Sequence, residues 1–399
     1  MAWIDERYPI TKFLKEHTSG YYAPKNFNFW YYFGALSLVV LVNQLVTGIW
    51  LAMSYNPSAE GAFASVEYIM RDVNFGWLLR YMHAIGASFF FIVIYLHMFR
   101  AVLYGSYRKP RELVWLIGMC IFLSLMAEAF FGYLLPWGNM SFWGAQVITS
   151  LFGAVPFIGD FLMEFIRGDY NVSGVTLNRF FALHVALVPL ILVGLAFMHI
   201  LALHNVGSNN PDGIDIKKHK HRDGTPMDGI PFHPYYTVKD TFGLAILLVF
   251  FAAVVFFMPD FFGLFLEAPN FIPANPLQTP EHIAPVWYMT PYYAILRAIP
   301  NKLMGVVAMA SSILILFFLP WLDRSPVRSI RYKGWLYKSA IGLFVISFIG
   351  LGYLGMNEPT PIKVILARLF AGIYFGFFIL MPIYTKLDKT KPEPSRVTY

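Results

Sequence analysis

Four histidines inside apolar sequence carry the clearest chemical signal. The stretch "RYMHAIGASFFFIVIYLHMFR", residues 80–100, holds His83 and His97 fourteen residues apart. In a helix fourteen residues turn to within ~40° of four full turns and rise ~21 Å, so the two rings share a face at two levels. "HVALVPLILVGLAFMH" repeats the arrangement with His184 and His199, fifteen apart. That spacing leaves the second ring about 60° off, and Pro189 between them can loosen the helix enough to realign it. If both segments cross in the same direction, His83 is level with His184 and His97 with His199. Two uncharged imidazoles facing each other form an axial ligand set for haem iron, and they suit a low-dielectric interior. The alternative is a set of unrelated core histidines hydrogen-bonded across helices. Two matched pairs weigh against it, because ionisable groups inside a membrane default to function. Zinc fits less well, with two good ligands at each level.

Glycines fall in register with the histidines. Gly34 and Gly48 lie fourteen apart in one apolar segment, and Gly118 and Gly132 fourteen apart in another. A glycine in a helix interior costs about 1 kcal/mol relative to alanine, so each needs a reason. Close approach of a porphyrin to the backbone is one; ordinary small-residue packing between membrane helices is the other. Arg80, Arg100 and Arg179 stand at segment ends, where they could pair with haem propionates or simply snorkel to the interface.

The elements that must hold these residues are membrane helices. The 399 residues are 57% apolar and only 13% charged, a composition of integral membrane proteins. Eight runs are long enough to cross ~30 Å of hydrocarbon: roughly 31–53, 80–104, 113–135, 180–204, 241–259, 303–321, 338–356 and 362–385. The expected fold is an all-α integral membrane protein with eight transmembrane helices. Its first four helices form a dihaem four-helix bundle. The histidines divide the chain near residue 215, into a ligand-bearing part (1–215) and a C-terminal four-helix part (216–399). With both termini on one side, that side carries 22 of the 30 lysines and arginines, which places the termini in the cytoplasm or matrix. The net charge of +7 is therefore topological, and nucleic acid is not an expected partner.

The start, "MAWIDERYPITKFLKEHTSG", lacks the pattern of a cleavable signal peptide and reads as an amphipathic interfacial helix. The single cysteine, Cys120, excludes an internal disulfide, a thiolate metal cluster and covalent Cys-x-x-Cys-His haem attachment. Residues 136–179 read as two short surface helices capping the bundle. Residues 259–302 contain eight prolines, cannot cross lipid as a helix, and are long enough to be functional. The inner loop "GSNNPDGIDIKKHKHRDGTPMDGIPFHPYY" reads as polar and mobile in its middle.

The paired histidines, the glycine pairs, "GYLLPWGNMSFWGA", "IPFHPYYTVKD" and "PVWY" followed by "YAILRAIPNKL" together resemble cytochrome b of the cytochrome bc complex, along essentially the whole chain. The resemblance implies two non-covalent b-type haems, a low-potential one on His83 and His184 near the outer face and a high-potential one on His97 and His199. It implies that ubiquinol is oxidised at an outer site, with one electron passing to a Rieske iron–sulfur protein. The other electron crosses through the haems to ubiquinone at an inner site, which gives Q-cycle proton translocation. Tyr133, Met140, Gly144, Pro285, Tyr288 and Tyr293 match the outer site; for the tyrosines the alternative is interfacial anchoring. His204, Ser208, Asn209, Lys239 and Asp240 match the inner site, where a histidine and an acid at the surface could relay protons. Alone, such loop residues are more often simply solvated. Implied partners are the Rieske protein, a cytochrome c-type haem subunit, membrane lipid, quinone and a second copy in a dimer. The expected location is a bacterial cytoplasmic membrane, on the strength of the insertion "IDIKKHKHRDGTPMDG".

Two departures from the resemblance carry expectations. The family's usual outer motif is Pro-Glu-Trp-Tyr, and here Val286 replaces the carboxylate. The nearest acid in sequence, Glu281 of "TPEHIAPVWY", is the candidate substitute, against the alternative of a solvated loop carboxylate. The fifteen-residue spacing from His184 to His199 matches chloroplast-type relatives, which however divide the protein into two chains and attach a further haem through a cysteine. Two other functions compete: a haem-free transporter with a histidine proton relay, and a dihaem relay subunit of a quinone-linked dehydrogenase. The second would not need the long "PVWY" loop.

Overall fold

A computed structural model describes residues 2–17 and 20–398. Among them, eight helices are long and apolar enough to cross a membrane. Spans one to four are Phe29–Ala52, Gly76–Tyr104, Glu112–Leu134 and Gly174–Val206. Spans five to eight are Phe232–Phe257, Lys302–Leu322, Trp335–Met356 and Pro361–Ile379. Large apolar side chains cover the outside: on span one Leu38, Val42, Val46 and Ile49 are all exposed. A stripe at that spacing is a lipid-facing helix surface.

Span one packs on span two and span three on span four, while span five leans on spans one and two. Spans six, seven and eight gather around a short helix, Thr290–Ala298, that follows the Pro-Val-Trp-Tyr segment. One aromatic-rich core joins the two halves of the chain: Phe91 of span two stacks on Tyr288 at 3.8 Å. Tyr95 donates to the Tyr288 carbonyl at 2.6 Å, and Trp115 donates to the Leu316 carbonyl at 2.8 Å. Burial of each such polar tip with a partner anchors an otherwise apolar contact.

At the end opposite the termini, two helices cap the bundle, Asn139–Phe152 and Gly159–Arg167, as the sequence predicts for 136–179. A third, Ala62–Arg71, lies between spans one and two, where the sequence reading places none. Span four begins earlier than expected, because Ser173 caps it through a reciprocal pair of hydrogen bonds with Thr176. Span eight ends at Ile379, and Met381–Leu387 continues as a separate short helix.

The termini meet at the other end. Tyr22–Pro24 pairs antiparallel with Gly229–Pro231, a two-stranded ribbon in an otherwise helical protein. The inner loop is pinned at both ends rather than loose throughout. Asp212 is buried and accepts from Arg331, Tyr332, Asn26 and Thr398. Asp228, also buried, takes both Arg396 and Lys25. Between them residues 217–224 and Met227 are exposed.

Candidate functional site

Spans two and four bring the four histidines together in the pairs the spacing predicts. The ring centres of His83 and His184 stand 6.1 Å apart, and those of His97 and His199 6.4 Å apart. A metal atom held by an imidazole nitrogen on each side, at about 2 Å per bond, needs ring centres about 6 Å apart. Span four meets this requirement through a π-helical turn at Leu183–Leu187, directly before Pro189. A π-turn absorbs one extra residue, so fifteen residues on span four present their rings as fourteen do on span two.

Each glycine faces one of these rings. An added Cβ would meet the imidazole Cε1 of His97 at 3.2 Å from Gly34 and that of His83 at 3.1 Å from Gly48. From Gly118 it would meet His199 at 3.2 Å, and from Gly132 it would meet His184 at 2.4 Å. Each glycine thus keeps the helix backbone clear beside one of the histidine rings.

The rings are also oriented. The Thr47 hydroxyl donates to the Asn43 carbonyl at 2.6 Å, which leaves its oxygen to accept from His83 Nδ1 at 2.9 Å. His184 Nδ1 lies 3.0 Å from both the backbone carbonyl and the Oε1 of Glu128. With Nδ1 engaged on both rings, Nε2 is the nitrogen left for a metal. Among the described residues no three His, Cys, Asp or Glu side chains converge. Two ligands per level suit a metal that brings its own equatorial ring, and a protein-only zinc site is not built.

Arg100 is partly buried, with its Nη2 3.3 Å from His97 Nδ1 and its Nε atom shielded and without a hydrogen-bond partner. A partly buried cation with donors to spare suits an anionic group such as a propionate. Arg80 lines the cavity beside His83 and His184. Arg179 does not join them: it is exposed and donates to the Phe165 carbonyl at 2.6 Å.

That cavity, about 510 Å³, runs from the His83–His184 pair to the loop between spans five and six. Tyr133, Val286 and Tyr288 line it together with Glu267. The Tyr133 hydroxyl donates to Glu267, and burial raises the Glu267 carboxyl above its ordinary range while the Tyr133 bond pulls it partly back. Gly144 keeps ordinary contact distance from the Tyr133 ring, 3.6 Å from an added Cβ. Met140 is buried nearby. Pro285 and Tyr293 lie outside the lining, with the Tyr293 hydroxyl donating to the Ile283 carbonyl. Glu281 is exposed and outside the lining as well. Nearness along the chain suggested Glu281; folding brings in Glu267 instead. The signal for Glu267 was a lone acid in "FFGLFLEAPNF".

At the end carrying the termini, Tyr21 stacks on His204 with ring centres 4.2 Å apart. Its hydroxyl lies 2.6 Å from Ser208 Oγ. Asn209 is buried and donates to the Tyr104 carbonyl and to Ser106, which makes it a loop anchor. Lys239 and Asp240 stand on the first turn of Thr237–Phe257, the regular α-helix of span five, with Lys239 Nζ 4.6 Å from the Tyr235 ring centre.

Known proteins match along the whole chain. Residues 18–207 match the family model "Cytochrome b/b6/petB", and residues 273–375 match "Cytochrome b(C-terminal)/b6/petD". A cytochrome b of Allochromatium vinosum is 61% identical, covering 100% of this chain and 98% of that protein. One of Rickettsia conorii is 51% identical over 100% of this chain and 97% of its own. A solved chain of a hyperthermophilic respiratory complex III superimposes with a TM-score of 0.89 at 40% identity, covering 97% of this chain and 98% of that one. The chain belongs to the cytochrome b family: a haem-binding, multi-pass membrane subunit at the core of complex III, the quinol–cytochrome c oxidoreductase.

Proposed function

We propose that this chain carries two b-type haems, oxidises ubiquinol in the cavity beside His83 and His184, and delivers one electron per quinol across the membrane to a quinone near His204. The observation that carries this reading is the pair of imidazole sets at two levels, the outer one sharing its cavity with Tyr133, Glu267 and Tyr288. His83 and His184 would hold one haem, His97 and His199 the other; bound there, they supply one-electron redox centres at two depths.

Oxidation of a quinol releases two electrons and two protons, so the cavity needs a base. Val286 cannot accept a proton. Glu267 can, and Tyr133 holds its carboxyl in place by donating to it. Tyr288, locked by its stacking on Phe91, gives the cavity a rigid wall. At the inner site His204, held against Tyr21, and Asp240 deliver protons to the reduced quinone, with Ser208 and Lys239 beside the same surface.

The chain supplies no iron–sulfur or c-type haem ligands, so a Rieske protein and a cytochrome c-type subunit must complete the reaction; the likeness to a complex III chain supports such an assembly, and a second copy of the complex would complete a dimer. Residues 1–215 form the haem-binding part and 216–399 the part that brings the quinol loop. The two family matches fall on either side of that division. The basic end faces the cytoplasm of a bacterial inner membrane.

A redox-titrated absorption spectrum of the purified complex tests the reading. It should show two reductive steps in the b-type α-band, with one of them lost in a His83→Asn variant. A single component, or no b-type band, would overturn it.

A further inference from the structure

Span three is apolar except for one acid in its interior, Glu128 of "SLMAEAFFGYL". It lies four residues before Gly132 and so on the same helix face, the face against which His184 packs. Its Oε1 is 3.0 Å from His184 Nδ1, and its own backbone carbonyl is also 3.0 Å away. The other carboxylate oxygen, Oε2, is buried with no hydrogen-bond partner. A carboxylate buried in this way is costly unless a positive charge faces it. Arg80 lines the same cavity, yet no ion pair joins it to Glu128 among the described residues. The charge that remains is one carried through His184.

The rings of His83 and His97 differ. His83 is held by a neutral hydroxyl, that of Thr47. The group against His97 Nδ1 is a cation, Arg100. Among the described residues, the His83–His184 pair alone has a carboxylate against one of its rings.

We propose that Glu128 is a positioning residue for His184, holding its Nδ1–H so that Nε2 faces the metal, and that its carboxylate sets the outer centre at a lower reduction potential than the inner one. The chemistry is that of any metal-bound imidazole hydrogen-bonded to a carboxylate: the ligand becomes more basic and favours the more positive metal state. Arg100 beside His97 acts in the opposite sense on the inner pair. Electrons then run downhill from the outer centre to the inner one because of two side chains of opposite charge.

This inference rests on the two-haem reading above, and the test separates the two. In the intact complex, midpoint potentials of both b components are titrated, and the low-spin signal of each is recorded by electron paramagnetic resonance. Glu128→Gln removes the charge but keeps the backbone carbonyl as an acceptor for His184. We expect the outer centre's reduction equilibrium to rise about tenfold, about 59 mV for one electron, with the inner centre unmoved. Glu128→Asp should lie close to the unaltered chain. Loss of the outer centre in Glu128→Gln but not in Glu128→Asp would also support the assignment. An outer potential within twofold of wild type in Glu128→Gln would overturn it, as would loss of the centre in both variants. Absence of any b-type band from the unaltered complex would overturn the haem reading itself.

Discussion

Gly132 and His184 are packed so closely that a Cβ on the glycine would lie 2.4 Å from the imidazole Cε1, whereas Gly118 leaves 3.2 Å to the same atom of His199. The first distance cannot be met without moving the ring, and the ring is already held at Nδ1 by Glu128. The second needs a shift of a few tenths of an ångström. Gly132→Ala should therefore abolish or strongly deplete the outer b component, and Gly118→Ala should leave most of the inner one. Haem-to-protein stoichiometry and the reduced α-band of the two purified variants measure this directly. Equal haem content in both would show that the ring, not the glycine, gives way.

The Tyr133–Glu267 contact makes a prediction about quinol oxidation. If Glu267 is the proton acceptor, Glu267→Gln should lower the rate about 10²-fold, in line with loss of a general base. Glu281→Gln should leave the rate unchanged. The sign with pH follows from burial. The Glu267 carboxyl titrates above its ordinary range, so the rate should rise with pH through that raised value, and Glu267→Gln should flatten this limb. Placing the acid elsewhere in the same cavity, by adding Val286→Glu to Glu267→Gln, should restore part of the rate. Steady-state quinol–cytochrome c reductase activity against pH, in all four proteins, decides it.

The spans and the two facing pairs of histidines were legible in the sequence because both depend on local periodicity: apolar length, and rings at helical spacing. Even the odd spacing on span four carried its explanation in Pro189. Glu267 was not legible as a partner of Tyr133, since 134 residues separate them and only the fold closes that distance. Arg179 was only half legible. Its position at a span end allowed either an inward role or snorkelling to the interface, and the Phe165 carbonyl, brought near by a surface helix, takes its guanidinium. Glu128 stood in plain view as the one acid in the interior of span three, yet its role depends on which histidine lies across from it.

The Arg396–Asp228 pair ties the last residues of the chain to the inner loop, with contacts of 2.6 and 3.0 Å. Through Lys25 and the ribbon at Tyr22–Pro24 the same carboxylate steadies the strand that follows Tyr21. The Arg396 bond, helped by Lys25, holds Asp228 down at about 2. A depressed carboxylate contributes stability that is complete above its unfolded value of about 4 and is lost as pH falls through about 2. Arg396→Ala should lower stability modestly, as loss of a charged hydrogen bond at a solvent-facing site does, and should move acid-induced loss of structure to higher pH. Thermal unfolding followed at pH 7 and at about pH 3, inside that window, would show both effects. Identical melting curves for the two proteins would mean that the pair contributes nothing.

The π-turn at Leu183–Leu187 predicts that one residue of span four is dispensable. A π-turn is a helical turn with a single residue too many, so deleting Leu187, which is half-exposed on the outer surface, should convert it to regular α-helix. His184 and His199 would then be fourteen residues apart, as His83 and His97 already are, and the phase of everything after Pro189 would be kept. Both b components should survive the deletion. Removing a residue from the regular part of the same span, Gly194 for example, has no such slack. It should rotate His199 by about 100° away from His97 and eliminate the inner component. A pair of reduced spectra tells the outcomes apart. If the two deletions are equally damaging, the π-turn is not what reconciles fifteen residues with a pair of facing rings.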